Sequence, residues 1–317
     1  MSEVILTSKP HEVKIEEVIA LLKPRVMSLV VFTSFVGLMA APGTIHPIIA
    51  LASILFIAMG AGASGALNMW WDADIDSLMK RTRSRPIPQG QVSASEACIL
   101  GLWLSGFSIL MLLITANILA ALLLAFTIFF YAFVYTILLK RTTSQNIVIG
   151  GIAGALPPVI GWAVVTNSIA IEPVLLFLLI FLWTPPHFWA LALITKEDYS
   201  RAGVPMLTVT KGDQFTRKSI FWYSVTLAPI SMLIAFSSIG GPLIFVTAVV
   251  LNTKLIVDAI SLLNRKGDYA KKDNFAVEKR FFRFSISYLF ILFAVIALES
   301  AIYKVFGELI NWPAVIS

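Results

Sequence analysis

Nine stretches of the chain are apolar on every face: 26–41, 48–67, 97–116, 118–139, 147–165, 174–194, 220–238, 242–263 and 284–303. Most approach the ~20 residues that a helix needs to cross ~30 Å of hydrocarbon, where backbone amides must be satisfied within their own segment. A transmembrane barrel would alternate apolar and polar residues, and these runs do not. The expected fold is all-α: a polytopic membrane protein with nine transmembrane helices in a single bundle around an intramembrane cavity. Composition agrees, because 58% of the 317 residues are hydrophobic and 13% charged, whereas soluble domains carry about 25% charged residues. A water-soluble globule is excluded. The single cysteine, Cys98, leaves no disulfide framework and no thiolate cluster.

Charge is confined to alternate connections. All but two of the 24 basic residues lie in the N-terminal segment (Lys9, Lys14, Lys23, Arg25) or in four loops. These loops hold Lys80, Arg81, Arg83 and Arg85; then Lys140 and Arg141; then Lys196, Arg201, Lys211, Arg217 and Lys218; then Arg265, Lys266, Lys271, Lys272, Lys279, Arg280 and Arg283. Lys254 and Lys304 are the exceptions. The positive-inside rule then places the N-terminus and large loops in the cytoplasm and, after nine spans, the C-terminus outside. The net charge of +6 is accordingly topology, and no nucleic-acid-binding module is visible. Residues 1–25 form a cytoplasmic segment without a signal-peptide core, and 26–317 form one nine-helix domain. Within the segment, Glu12, Glu16 and Glu17 alternate with Val13, Ile15 and residues 18–22 as a short amphipathic helix at the interface. The lack of a transit-peptide pattern favours a prokaryotic inner membrane.

The second span runs into Asn68-Met69-Trp70-Trp71-Asp72-Ala73-Asp74-Ile75-Asp76. Carboxylates beside hydrocarbon are expensive and mark function by default. Asn68, Asp72 and Asp76 are four apart, so each steps about 40° around and ~6 Å along a helix. They form one polar stripe, from which Asp74 points away toward water or another helix. Carboxylates and an amide oxygen all accept, so the stripe suits a hard cation such as Mg²⁺, whose shell substrate phosphates complete. A solvated loop with capping aspartates is the plainer alternative. The cations Lys80, Arg81, Arg83 and Arg85 follow at once, and Mg²⁺ with Arg or Lys is the usual means of neutralising a diphosphate leaving group. Two more loops on this side carry Tyr135, Lys140, Arg141, Thr142 and Asn146, and Lys196, Glu197, Asp198, Tyr199 and Arg201. Asp198 is either a further metal carboxylate or a surface acid.

His187, in Trp-Thr-Pro-Pro-His-Phe-Trp, is the one histidine deep in a span. It reads as a satisfied core residue, a proton carrier or a haem contact. Pro185 and Pro186 are expected to break or kink its helix and leave room for a large ligand. On a continuous helix Asp198 would share its face. The glycine-rich run 150–158 has no Walker lysine and reads as close helix packing. Lys254 and Asp258, four apart, are expected to pair.

Together these segments resemble a family. The pattern NxxxDxxxD, then RTxxRPxPxG, LKRxTxxN, GGxAGAxPPxxGW, WTPPHFWALA and DYxxAGxPML are similar to the haem branch of the UbiA-type intramembrane prenyltransferases, in the expected order from Asn68 to about residue 212. The resemblance implies transfer of the farnesyl group of farnesyl diphosphate to a vinyl group of haem B, giving haem O; haem B is substrate, not cofactor. It implies Mg²⁺ held by Asn68, Asp72, Asp76 and Asp198 as the catalytic and metal set. Lys80, Arg81, Arg83, Arg85, Lys140 and Arg141 would bind the diphosphate. His187, Tyr135, Trp71 and Tyr199 would line the haem or prenyl pocket, with aromatic faces stabilising an allylic cation. The bilayer, and a haem A synthase or terminal oxidase assembly, are the implied partners. Two departures stand out: the second aspartate-rich motif is reduced to Lys196-Glu197-Asp198-Tyr199, and Thr208 stands where proline is expected. The rival readings are a prenyltransferase with an aromatic acceptor and a transporter, which would show matched broken helices in two halves.

Overall fold

A computed structural model describes residues 14–265, 267–306 and 312–315. Lys9, Glu12, Val13 and Lys266 lie outside the described residues. Of the expected interfacial helix, α1 (Ile15–Leu21) is present. It is followed after a two-residue joint by α2 (Pro24–Ala40). The bundle continues with α3 (Pro47–Trp71), the short α4 (Ala73–Leu78) and α5 (Ala94–Thr115). Next, α6 (Ile118–Phe129) passes directly into a π-helix over Phe130–Leu139. The fifth apolar run is split into α7 (Asn146–Ala155) and α8 (Pro157–Thr166), with Pro157 at the first position of α8, where its missing N–H costs nothing. The remaining elements are α9 (Ile171–Ile194), α10 (Lys196–Arg201), α11 (Leu207–Thr210), α12 (Asp213–Ala235), α13 (Pro242–Leu263), α14 (Gly267–Lys272) and α15 (Ala276–Phe306).

All nine apolar runs are helical over most of their length, with residues 41, 116, 156 and 236–238 outside the helices. Among the described residues eight helices are long and apolar enough to cross a membrane, and a ninth span results if α1 and α2, bent by 58°, count together. Large side chains such as Leu51, Trp103, Leu122, Phe129 and Val250 remain exposed around the outside, as lipid-facing positions require. Without water to drive helices together, close approach of backbones supplies the packing. At the crossing of α2 and α8, a Cβ on Gly161 would stand 2.0 Å from the Ser34 carbonyl oxygen, and one on Gly37 would stand 2.1 Å from that of Pro158.

Polar side chains tie the two ends of the bundle. At one end Asn117 donates to the Ala163 carbonyl at 2.7 Å, and Glu299 on α15 accepts from the first amides of α13, Leu243 (3.1 Å) and Ile244 (2.8 Å). At the other end Arg217 on α12 and Arg265 meet buried Glu278 on α15 at 3.1 and 3.2 Å. The expected Lys254–Asp258 pair forms at 2.9 Å, and Arg280 joins Asp258 at 3.1 Å.

Two expectations around α9 are corrected. Of the expected break or kink, the break does not occur: the helix runs on through Pro185 and Pro186. Trp183, Pro185, Pro186 and His187 are all buried against neighbouring helices, which hold the segment where an isolated one would break. The helix then ends at Thr195, so Asp198 lies on the separate α10 and not on a continuation of the His187 face.

Gly161→Ala is expected to lower the melting midpoint of the purified protein by several degrees, as overpacking a helix crossing costs about 1–3 kcal/mol. Gly106→Ala, where an added Cβ meets nothing within 4 Å, leaves the midpoint unchanged or raises it. Equal effects would contradict the assigned crossing.

Candidate active site

The stripe read from the spacing is built across a helix junction. Asp72 both ends α3 and begins α4, with φ −89° and ψ 9°. The four-residue ladder nevertheless continues, since the Asp72 amide donates to the Asn68 carbonyl at 3.0 Å and the Asp76 amide to that of Asp72 at 2.8 Å. Asn68, Asp72 and Asp76 are therefore on one side and are respectively 3%, 0% and 2% exposed. Such burial excludes the solvated-loop alternative for these three, because ionised groups are not buried without counter-charges.

The counter-charges arrive from separate segments. Lys140 Nζ donates to Asp72 Oδ2, and Arg85 Nη1 donates to Asp76 Oδ2 at 2.5 Å. Arg141 grips Asp74 bidentately at 2.6 and 2.7 Å and stands 3.7 Å from Asp72 Oδ1. That double bond to the Arg141 guanidinium holds the Asp74 carboxyl below its ordinary range. Asp74 accordingly points to another element, as its offset of two residues from Asp72 suggested.

Local sequence explains how two of these cations reach the stripe. In Arg81-Thr82-Arg83-Ser84-Arg85-Pro86-Ile87-Pro88-Gln89-Gly90, buried Thr82 donates to the Asp76 carbonyl at 3.0 Å. The Pro86 carbonyl accepts from Gln91 at 2.9 Å, and Gly90 takes φ 70°, closing a loop that folds Arg85 back over Asp76. The π-helix does the same for Lys140. Its bonds run five residues back, as in Lys140 N to the Tyr135 carbonyl at 2.8 Å, so residues five apart share a face. In α-helix they would diverge by about 140°. Tyr131 and Thr136 thus align, and Thr136 Oγ1 accepts from Asn68 Nδ2 at 3.0 Å while donating to the Tyr131 carbonyl at 2.8 Å. π-Helical segments concentrate at functional sites. Gly150 completes the arrangement, because a Cβ there would stand 2.2 Å from the Tyr135 ring.

Three contributors were not among the expected site residues: Thr136, Tyr131 and Lys23. Lys23 Nζ donates to Asn68 Oδ1. In the sequence it is one more cation of a basic segment, and no spacing singles it out. Conversely, Lys80, Arg81 and Arg83 are exposed and form no ion pair among the described residues. Asp198 is buried and, among the described residues, pairs with Arg201 alone, at 3.8 Å. Its neighbour Tyr199 belongs to the same buried apolar cluster as Ile75 and Met79. Trp71 is partly exposed, with its carbonyl accepting from Arg141 at 3.0 Å. Among the described residues no three of His, Cys, Asp and Glu converge as a preformed metal cage. The oxygen set does fit a hard cation in one respect: Asp72 Oδ1 is buried with no hydrogen-bond donor.

His187 lies between the Trp183 and Phe282 rings, at centroid distances of 4.3 and 4.7 Å. Ser285 Oγ donates to the Phe282 carbonyl at 2.7 Å and lies 2.7 Å from His187 Nδ1. A hydroxyl has one proton, so when it is given to the Phe282 carbonyl Ser285 accepts from Nδ1–H.

The sequence profile of the UbiA prenyltransferase family matches residues 29–287. The chain is 58% identical over 302 residues to protoheme IX farnesyltransferase of Cereibacter sphaeroides, spanning 95% of this chain and 97% of that protein. It is 59% identical over 306 residues to the enzyme of the same name from Roseobacter denitrificans, spanning 95% and 98%. Its fold is similar to that of digeranylgeranylglyceryl phosphate synthase, with TM-score 0.73, 17% identity and coverage of 90% and 98%. A UbiA homologue from Archaeoglobus fulgidus bound to DMAPP and Mg²⁺ aligns with TM-score 0.60 and 15% identity, covering 87% and 99%.

Lys140→Met leaves the Asp72 carboxylate buried without its closest cation, and the thermal midpoint is expected to fall by an amount matching about 3–5 kcal/mol. Asp74→Asn, which breaks an exposed pair, should cost less than about 1 kcal/mol. The reverse order in a melting experiment would contradict the assignment of Asp72 as the centre of the network.

Proposed function

The chain belongs to the UbiA prenyltransferase family, and from that premise we propose that it transfers the farnesyl group of farnesyl diphosphate to a vinyl group of haem B, giving haem O. The observation that carries the transfer chemistry is the buried Asn68–Asp72–Asp76 stripe, met by cations from separate segments at one end of an apolar bundle. The haem acceptor is supported by the relatives named protoheme IX farnesyltransferase, which match the chain over about its whole length.

Asn68, Asp72 and Asp76 would hold Mg²⁺, with Asp198 offered from α10. When bound, the ion supplies Lewis-acid stabilisation of the departing diphosphate. Lys140 and Arg85, with Arg141, Lys80, Arg81 and Arg83 around the rim, bind diphosphate oxygens and offset the charge that grows as the C–O bond breaks. The bond's electrons leave with diphosphate, and the allylic cation left behind is stabilised by the Tyr135 and Tyr131 ring faces beside the stripe. The vinyl group of haem B then forms the new C–C bond. Water adds to the resulting carbocation and loses a proton, completing a hydroxyethylfarnesyl side chain. The farnesyl tail occupies an apolar chamber within the bundle. His187, held at Nδ1 by Ser285, is the haem contact, and Tyr199 and Trp71 border the approach.

The charged end faces the cytoplasm of a prokaryotic inner membrane, in keeping with the basic loops, and the C-terminus lies outside. Haem O passes to a haem A synthase or a terminal oxidase assembly. A transporter is disfavoured, since the one bent helix pair found among the described residues, α1 with α2, has no counterpart in the second half.

Membranes holding the protein, given farnesyl diphosphate, haem B and Mg²⁺, are expected to yield haem O by mass. Prenylation of an aromatic acid without a haem adduct would overturn the acceptor. Asp72→Ala and Asp76→Ala should each reduce turnover by a factor of about 10³ or more while inserting normally. His187→Ala should weaken haem binding, and Ser285→Ala should do so by a smaller factor through the lost hydrogen bond at Nδ1; unchanged haem affinity in both would return His187 to a packing role.

A further inference from the structure

Lys23 belongs by its position to the basic N-terminal segment, yet its ammonium reaches the buried stripe. It forms the joint between α1 and α2, with φ 54° and ψ 60°, a left-handed conformation that a lysine keeps only where its surroundings hold it. Pro24 follows and disfavours the right-handed helical alternative. The joint seats on α3 at Gly65, where a Cβ would stand 3.3 Å from the Leu21 carbonyl oxygen and 3.5 Å from that of Leu22. Gly65 precedes Asn68 by three residues, so the two share a helix face.

The contact that results differs from the other two. Lys140 and Arg85 meet carboxylates, whereas Lys23 Nζ meets the neutral amide oxygen of Asn68. The Asn68 amide is oriented by its Nδ2, which donates to Asp72 Oδ2 at 2.7 Å and to Thr136 Oγ1 at 3.0 Å. Oδ1 is therefore the atom turned toward an incoming cation, and the Lys23 ammonium already holds it. The charges of Asp76 and Asp72 attract the ammonium there while those of Arg85 and Lys140 repel it, so it is held beside the acids without a carboxylate of its own.

We propose that Lys23 is an exchangeable counter-ion: its ammonium occupies the Asn68 oxygen until Mg²⁺ and diphosphate enter together, and then moves onto a diphosphate oxygen. Mg²⁺ alone must displace the ammonium with no anion present to receive it. With diphosphate present, the displaced charge gains a stronger acceptor than the one it leaves. Metal and diphosphate thus bind cooperatively, with Lys23 carrying a share of the coupling, and the stripe does not fill with metal when substrate is absent. This inference rests on the metal–diphosphate half of the proposed function and is independent of the haem acceptor.

The test is calorimetric titration of the full-length protein in detergent with Mg²⁺ alone and with the Mg²⁺–pyrophosphate complex, for wild type, Lys23→Met, Lys23→Gln and Lys23→Arg, each checked for folding by its melt. The two neutral variants are expected to shift in opposite directions, binding Mg²⁺ alone about 10-fold tighter and Mg²⁺–pyrophosphate about 10-fold more weakly, within the usual range of site coupling. Lys23→Arg should stay near wild type. Weakening of both titrations would show a merely structural residue, and weakening of the complex alone would show a plain phosphate ligand; either overturns the exchange. A wild type that binds neither ligand refutes the metal–diphosphate reading and this inference with it. A wild type that shows the exchange but makes no haem adduct refutes only the acceptor.

Discussion

Two carboxylates kept buried at the end of a membrane helix must be matched by positive charge, and that end of the bundle is arranged around the need. Asp72 and Asp76 are almost completely excluded from solvent, where an unpaired charge would instead be neutralised or expelled. Lys140 and Arg85 meet them directly, from the end of the π-helix and from a closed loop. Each of those segments is shaped locally to deliver its cation. Under the proposed function, ligand binding is an exchange of counter-ions at fixed acids, which would spare the site a large reorganisation as charge develops on a leaving group.

The rest of the bundle supports this end by close backbone packing. Gly161 and Gly37 allow α2 and α8 to touch, Gly65 seats the α1–α2 joint, and Gly150 admits the Tyr135 ring. These small residues are spread over separate spans, but each permits an approach on which a site group or its supporting helix depends. The five-residue ladder after Phe129 has the same effect at the level of winding, placing Thr136 under Asn68 and Lys140 over Asp72.

Much of this was legible in the residues. Apolar runs gave the helices because the bilayer admits few alternatives, and the spacing of Asn68, Asp72 and Asp76 gave the stripe because the four-residue ladder survives the α3–α4 junction. The partners of the acids were less legible. Positive-inside topology explains every cation in the basic segments equally well, so Lys23 carried no separate signal and Arg83 looked as good as Arg85. The π-helix was hidden because its hydropathy matches that of the α-helix before it. Pro185 and Pro186 suggested a break that tertiary packing prevents, since neighbouring helices bury the segment on several sides. Asp198 was placed beside the stripe by the loop order, and its ligand role remains a proposal because its recorded ion pair is with Arg201.

The most direct test of the central claim is an experimental structure with Mg²⁺ and a non-reactive farnesyl diphosphate analogue. The account predicts metal on the oxygens of Asn68, Asp72 and Asp76, with Lys140 and Arg85 turned from the carboxylates to the diphosphate and the prenyl chain descending beside Tyr135. Diphosphate bound elsewhere, with Lys140 and Arg85 still closed on Asp72 and Asp76 and no metal on the stripe, would contradict it.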